Sequence, residues 1–308
     1  METDCRSVLT EHGTIWAIVP ERLWGLLAGE PRQEVGAAKV YRQRFGWVTM
    51  GLGEDRTLTA DVRVPRLPKS ASSIGVLPLL GVITQRDGFW GTSTEAYGQA
   101  FDDLMQNDRI GAVVLEIDSP GGSVYGVGEL AEKIRSARGQ GKPIVAVANS
   151  LAASAAYWIG SQADQFIVTP GGEAGSIGVF SVHFDQTEWL AKEGVKVTIT
   201  KVPEFKAEGY LEPLSEAAQE AERAAIEGYY DQFVDAVAAG RNVSRRAVRE
   251  EFGKGRVFRA EQAVESGMAD RVATLEEVLV GMAKTVGGKR KGASVEDAER
   301  RIRVREAQ

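Results

Sequence analysis

The sequence predicts an α/β fold built on a parallel sheet. Two patterns predict it. The run IGAVVLEID is apolar almost without a break from Ile110 to Ile117, as suits a strand buried on both faces of a parallel sheet. From Ile74 onward, strand-like runs alternate with segments whose apolar residues recur at helical spacing. That alternation implies βαβ units. With 308 residues, 43% of them hydrophobic, the chain can bury one substantial core or two modest ones.

Residues 1–73 read as an N-terminal preface and linker. Within it, Pro20 to Ala28 suits a short amphipathic helix with Leu23, Trp24 and Leu27 on one face. RVPRLPKSASS, from Arg63 to Ser73, is rich in proline, serine and basic residues and reads as a linker. Residues 74–283 carry the α/β pattern. IGVLPLLGVIT predicts a strand followed by a turn at Gly81. TEAYGQAFDDLMQN places Tyr97, Phe101, Leu104 and Met105 at helical spacing. The strand that starts at Ile110 ends in SPGGS, Ser119 to Ser123, and Val127, Leu130, Ile134 and Ala137 then mark a helix.

Ile144 to Ala148 is the next strand, Ala152 to Ala163 reads as a helix, and QFIVTP as a strand. GSIGVFSVHFD alternates like a further strand, and VKVTITKV reads as another. A long helix is expected from Leu214 to Asn242, with Ser215 capping its first turn and Gly240 ending it. FRAEQAVESGMADRVATLEEVLVGMA suggests a short helix, a turn at Gly267, a brief strand and a last helix. Residues 284–308 are charged and glycine-punctuated, the composition of a flexible tail or docking segment. The chain has no internal repeat.

A net charge of −6 and a pI near 5.3 argue against a dedicated nucleic-acid binder. The single cysteine, Cys5, cannot form an internal disulfide, which fits a reducing compartment. Cys5, His12 and His183 stand at no recognised metal-ligand spacing, so no metal is expected, and the serine chemistry read below needs no cofactor. The N-terminus opens Met-Glu-Thr-Asp, without the positive charge and apolar run of a secretory signal. No stretch reaches the roughly 18–20 apolar residues that span a bilayer. The expectation is a soluble protein without a membrane anchor.

Ser154 and Lys206, 52 residues apart, are the most informative pair. A serine becomes a nucleophile only when a neighbouring base takes its proton. A lysine kept neutral by burial can be that base. Ser154 falls at a predicted helix start directly after a strand, where developing negative charge is favoured. The alternative is that LAASAAYW is merely a small-residue helix that packs closely. SPGGS lies at the C-terminal end of a parallel strand, where sites of open α/β sheets gather. Its paired glycines let a peptide N–H face a cleft, as an oxyanion hole requires. It also reads as an ordinary tight turn.

Lys206 alone reads as a solvated lysine, and GSIG, Gly175 to Gly178, as a turn into a strand. Ser176 in GSIG nevertheless offers a hydroxyl that can hold a lysine nitrogen. His183 is the rival base: strand alternation puts it on one face with Asp185. Its other reading is a partly buried structural histidine.

The order SPGG, AAS, GSIG, then K-x-x-G-x-x-EPLS resembles the family of signal peptide peptidase A, the S49 serine peptidases of the ClpP/crotonase superfamily. GRVFRAEQAVESGMAD near the end extends the match, which covers about Ile74 to Leu279. The resemblance implies a spiral of ββα units that assembles as a homo-oligomer into rings or domes. It implies Ser154 as nucleophile, Lys206 as general base from the same chain, and Ser176 as the residue that orients the lysine. It also implies an oxyanion hole of backbone N–H groups from Gly121, Gly122 and Ala155. Relatives often carry His-Lys where this chain has Phe205-Lys206; the lysine itself is intact.

The preface, with WAIVPERLWGLLAG, looks like that of the S49 peptidases of tailed phages and prophages, which cleave scaffold and head proteins during capsid maturation. The expected function is therefore a Ser-Lys endopeptidase acting on polypeptide substrates, with phage scaffold and head proteins as partners. Its expected place is the cytoplasm, or a prohead within the host cytoplasm. The rival readings are a bacterial peptidase for cytoplasmic proteins or signal-peptide fragments, a crotonase-like acyl-CoA enzyme, and an inactive scaffold subunit.

Overall fold

A computed structural model describes residues 16–18, 48–50, 73–86, 91–210 and 213–283. Its centre is a parallel core of three strands: β3 (Ser73–Leu80), β6 (Ile110–Ser119) and β8 (Ile144–Ala153). β8 has two further parallel neighbours in succession. Its first half pairs with β9 (Gln165–Val168), and its last residues pair with β10 (Glu173–Gly175). β2 (Val48–Met50) adds antiparallel to β3, β11 (Val257–Arg259) antiparallel to β10, and β12 (Arg271–Val272) parallel to β9.

A second, four-stranded sheet has the order β1-β7-β4-β5. It comprises β1 (Trp16–Ile18), β4 (Val82–Thr84), β5 (Gly91–Ser93) and β7 (Gly121–Ser123). The fold is thus α/β with a mostly parallel main sheet.

Strand β6 shows why the sequence run is apolar throughout. Val113, Leu115 and Ile117 enter the larger core, while Ala112 and Val114 enter a smaller one. Alternate residues leave opposite faces of a strand, so both faces are buried. The larger core is covered by α1 (Thr94–Gln106) and α2 (Val127–Ser136). α1 buries the expected Tyr97, Phe101 and Leu104, and Ser93 caps it by accepting from Ala96 N–H at 3.2 Å. The Lys142 ammonium donates to the carbonyls of Leu104, Met105 and Asn107 at 2.7–2.9 Å, closing the other end of α1. Val278, Leu279 and Met282, from the helical stretch 275–283, cover the smaller core.

α5 (Glu216–Arg241) matches the expected long helix, and Ser215 caps it by accepting from Ala218 N–H at 3.1 Å. Gly240 does not end it. Gly240 lies inside the helix, where a side chain would meet the Ser161 carbonyl, and Asn242 at φ 55° makes the turn. Phe233 of α5 stacks on Trp158 with centroids 4.6 Å apart. α4 (Thr187–Lys192) and α6 (Arg245–Glu251) were not expected. The short helix expected before the turn at Gly267 is α7 (Ala260–Glu265).

Three expected elements differ. The helix at 152–163 shrinks to α3 (Ala155–Gly160), because β8 runs on to Ala153. Pairing with β10 at Leu151 to Ala153 overrides the helix propensity of the alanines. The strand over GSIGVFSVHFD stops at Gly175, since Ser176 takes φ 55°. VKVTITKV forms no strand: Val195, Val197 and Val202 are exposed, and alternation alone supplies no neighbouring strand. The expected helix at 20–28, most of the expected linker and the tail from 284 lie outside the described residues. Among the described residues, no helix is long and apolar enough to cross a membrane.

Candidate active site

The site is built where β8 meets α3. Ser154 is the single residue between them, at φ 55° and ψ −120°. This is a left-handed backbone, sparsely populated by non-glycine residues. Its amide donates to the Gly175 carbonyl at 2.7 Å, which locks the turn to β10. Its hydroxyl faces the Gly178 carbonyl at 3.5 Å and is almost fully buried. Ser154 makes no side-chain cap on α3, so the first amides of that helix are left to other acceptors. Such a strained strand-to-helix turn is how α/β hydrolases present a serine.

The glycine pair lies against this turn. Gly121 has φ 98°, and a Cβ there would stand 3.0 Å from Ser154 Cβ and 2.2 Å from the Ala17 carbonyl oxygen. A Cβ on Gly122 would stand 1.9 Å from the Ile83 carbonyl oxygen. Only glycine permits both approaches. Ser119 fixes their entry: its hydroxyl donates to the Gly81 carbonyl at 2.6 Å and accepts from the Gly121 N–H at 3.2 Å. The Gly121 N–H is therefore already engaged. Ala155, the first residue of α3, is fully buried beside Ser154.

Ser176 is also at φ 55°, is nearly buried, and donates its amide to the Arg256 carbonyl at 2.8 Å. Ser154 and Ser176 thus flank Gly175, which pairs with Ala153. Lys206 is not gathered with them. It lies in an exposed segment, and its amide donates to the Pro203 carbonyl at 3.1 Å. Among the described residues, no hydrogen bond or ion pair joins its ammonium to Ser154 or Ser176.

His183 packs on the same segment: a Cβ on Gly209 would stand 3.3 Å from its Cε1. Asp185 is turned to Thr187, whose side-chain and backbone hydrogen bonds hold its carboxyl below the usual range. Among the described residues, no group of three or more His, Cys, Asp or Glu is placed to hold a metal.

Supporting residues surround the turn. Tyr157 donates to the Met268 carbonyl at 2.8 Å, and burial pushes its phenol far above the ordinary value, so it stays a donor. Sequence reasoning missed two participants. Ser119 stood in the quoted motif, but a serine before Pro-Gly-Gly gives no sign of bracing two loops. Ala17, fully buried beside the glycine pair, lay in a segment read as preface. Its apolar run IWAIV was the only signal.

Fold and site together define an α/β protein with a strained serine set against a Gly-Gly strand. Residues 136–289 match peptidase family S49. The chain is 29% identical to "Protease 4" of Haemophilus influenzae, over 62% of its own length and 31% of that protein's. It is 28% identical to "Head-tail preconnector protein GP5" of Enterobacteria phage P21, over 85% of this chain and 54% of the phage protein. "Capsid assembly protease C" of Escherichia phage lambda is 26% identical over 73% of this chain and 53% of that protein. The chain therefore spans about half or less of these curated relatives. It belongs to peptidase family S49, and its α/β fold with a mostly parallel main sheet is consistent with the ClpP/crotonase-like fold of that family.

Proposed function

We propose that this chain is a serine endopeptidase whose nucleophile is Ser154 and whose general base is Lys206. The observation that carries the proposal is the Ser154 backbone, a strained conformation held against Gly121 at the end of β8. Strain of this kind concentrates at functional sites. In the proposed reaction, Lys206 takes the Ser154 proton as Oγ attacks a peptide carbonyl. The N–H groups of Gly122 and Ala155 receive the oxyanion, Lys206 returns the proton to the leaving amine, and water hydrolyses the acyl-enzyme. Gly121 shapes this hole by its backbone, its N–H being held by Ser119. Ser176 holds the lysine.

Lys206 has to come to Ser154 from an exposed segment. A lysine acts as base only when desolvation removes its proton. The stretch from Phe184 to Phe205 exposes Phe184, Trp189, Val195, Val197, Val202 and Phe205. So much exposed apolar surface on one stretch favours burial against another chain. Assembly of copies through this stretch is the step that desolvates Lys206.

The phage relatives named for capsid assembly and the head-tail preconnector support phage head and scaffold proteins as substrates. The test is mass spectrometry after fluorophosphonate treatment. Ser154 is expected to be the acylated residue. Ser154→Ala and Lys206→Ala are each expected to remove nearly all turnover, with the double variant little worse than either. Acylation of another residue, or near-normal turnover in Lys206→Ala, would refute the dyad.

A further inference from the structure

β7 has two edges. β4 pairs along one of them, and β1 pairs antiparallel along the other, with Ile18 opposite Gly121, Ala17 opposite Gly122 and Trp16 opposite Ser123. The second edge is the one beside Ser154. The Cβ position of Gly121 is 2.2 Å from the Ala17 carbonyl oxygen and 3.0 Å from Ser154 Cβ. The carbonyl of Ala17 thus stands next to the residue assigned as nucleophile. An extended peptide that reached Ser154 would gain its main-chain hydrogen bonds by adding as a strand to this same edge.

We propose that β1 occupies the substrate strand position, so that residues 16–18 act as an internal ligand competing with substrate. This rests on the assignment of Ser154 as nucleophile. It also names the substrate class. Ala17, a small residue, is fully buried in the larger core. The segment IWAIV around it has no charge. The site takes an extended, uncharged, apolar peptide running antiparallel to residues 121–123, with a small residue opposite Gly122. Because β1 is tethered, its effective concentration is on the millimolar scale of short linkers or below. A substrate in trans competes against that.

The test uses the full chain and two variants. Ala17→Asp puts a carboxylate at a fully buried position and expels the strand. Ala17→Gly loosens it mildly and serves if the aspartate variant does not fold, as judged by circular dichroism. Two readouts are taken: amide hydrogen exchange over residues 119–125, and the fluorophosphonate acylation rate of Ser154. Ala17→Asp is expected to exchange faster at residues 121–123 and to acylate at least tenfold faster. Ala17→Gly is expected to shift both in the same direction by less. A synthetic peptide of residues 13–19 added in excess is expected to reverse both.

Unchanged exchange in folded variants overturns the proposal. So does faster exchange with an unchanged acylation rate. If Ser154 is acylated in no variant while exchange opens and the peptide restores it, the strand site stands and the nucleophile assignment fails.

Discussion

A serine at φ 55° and ψ −120° costs the fold about 1–3 kcal/mol. Ser154 keeps that conformation because its amide is tied to Gly175 and its Cβ is wedged against Gly121. A residue conserving the fold alone would be glycine. Ser154→Gly is therefore expected to be more stable than Ser154→Ala by about 1 kcal/mol, the strain relieved less the entropy of a glycine. Thermal melts of the two variants measure this, and equal melting temperatures would mean the turn is not strained. The sequence could flag Ser154 by its neighbours but not its backbone angle, which is imposed by β10 and β7, both remote from it in sequence. The SPGGS motif was legible as a glycine-dependent turn. That both glycines touch foreign backbone, Ala17 and Ile83, was not, because no local pattern encodes a neighbour so remote in sequence.

Elements were legible where burial is two-sided or strongly periodic. β6, α1, α2 and α5 all lie where their apolar spacing put them. Two of the failures share one cause. At Ala152 and Ala153 the competing strand partner decided the matter, and at Val195 to Val202 alternation had no partner to pair with. Short elements draw their stability from neighbours, so tertiary pairing outweighs propensity. A side-chain link ties α5 to the residue that precedes β12. Arg241 forks onto Asp270 with two contacts of 2.9 Å, and Asp270 also accepts from the Phe166 amide at 2.6 Å.

Desolvation raises the Asp270 pKa, but the Arg241 and Phe166 hydrogen bonds and the arginine fields outweigh it, leaving the carboxyl below its ordinary value. Its stabilising contribution is then fully present above the unfolded value of about 4 and is lost as pH falls through the lower folded value. Asp270→Asn should cost about 1–2 kcal/mol at neutral pH, toward the low side because the carboxylate is partly exposed to solvent. The difference from the parent should shrink below about pH 4. Urea titrations at several pH values read this out, and a gap that stays constant into acid would rule out the ionised carboxylate as its source.

At the scale of the whole molecule, the catalytic reading depends on something a single chain lacks. Ser154, Ser176 and the glycine pair are brought together within one chain, whereas Lys206 stays on an exposed segment beside exposed Phe205 and Val202. Sequence order gave all of these residues, but order says nothing about which surfaces are buried only in an assembly. If copies of the chain meet through this stretch, a charge placed in it should block assembly and leave the fold intact, because Trp189 and Phe205 make no part of either core. Trp189→Glu and Phe205→Glu are each expected to melt within a few degrees of the parent. Both are expected to sediment as smaller species and to lose most peptidase turnover, since Lys206 then stays on an exposed segment away from Ser154. High protein concentration should restore part of the loss by mass action. Analytical ultracentrifugation alongside turnover on a peptide substrate decides it. Full turnover from a monomeric, well-folded Phe205→Glu chain would mean that Lys206 reaches Ser154 without a partner, and the assembly step would be withdrawn.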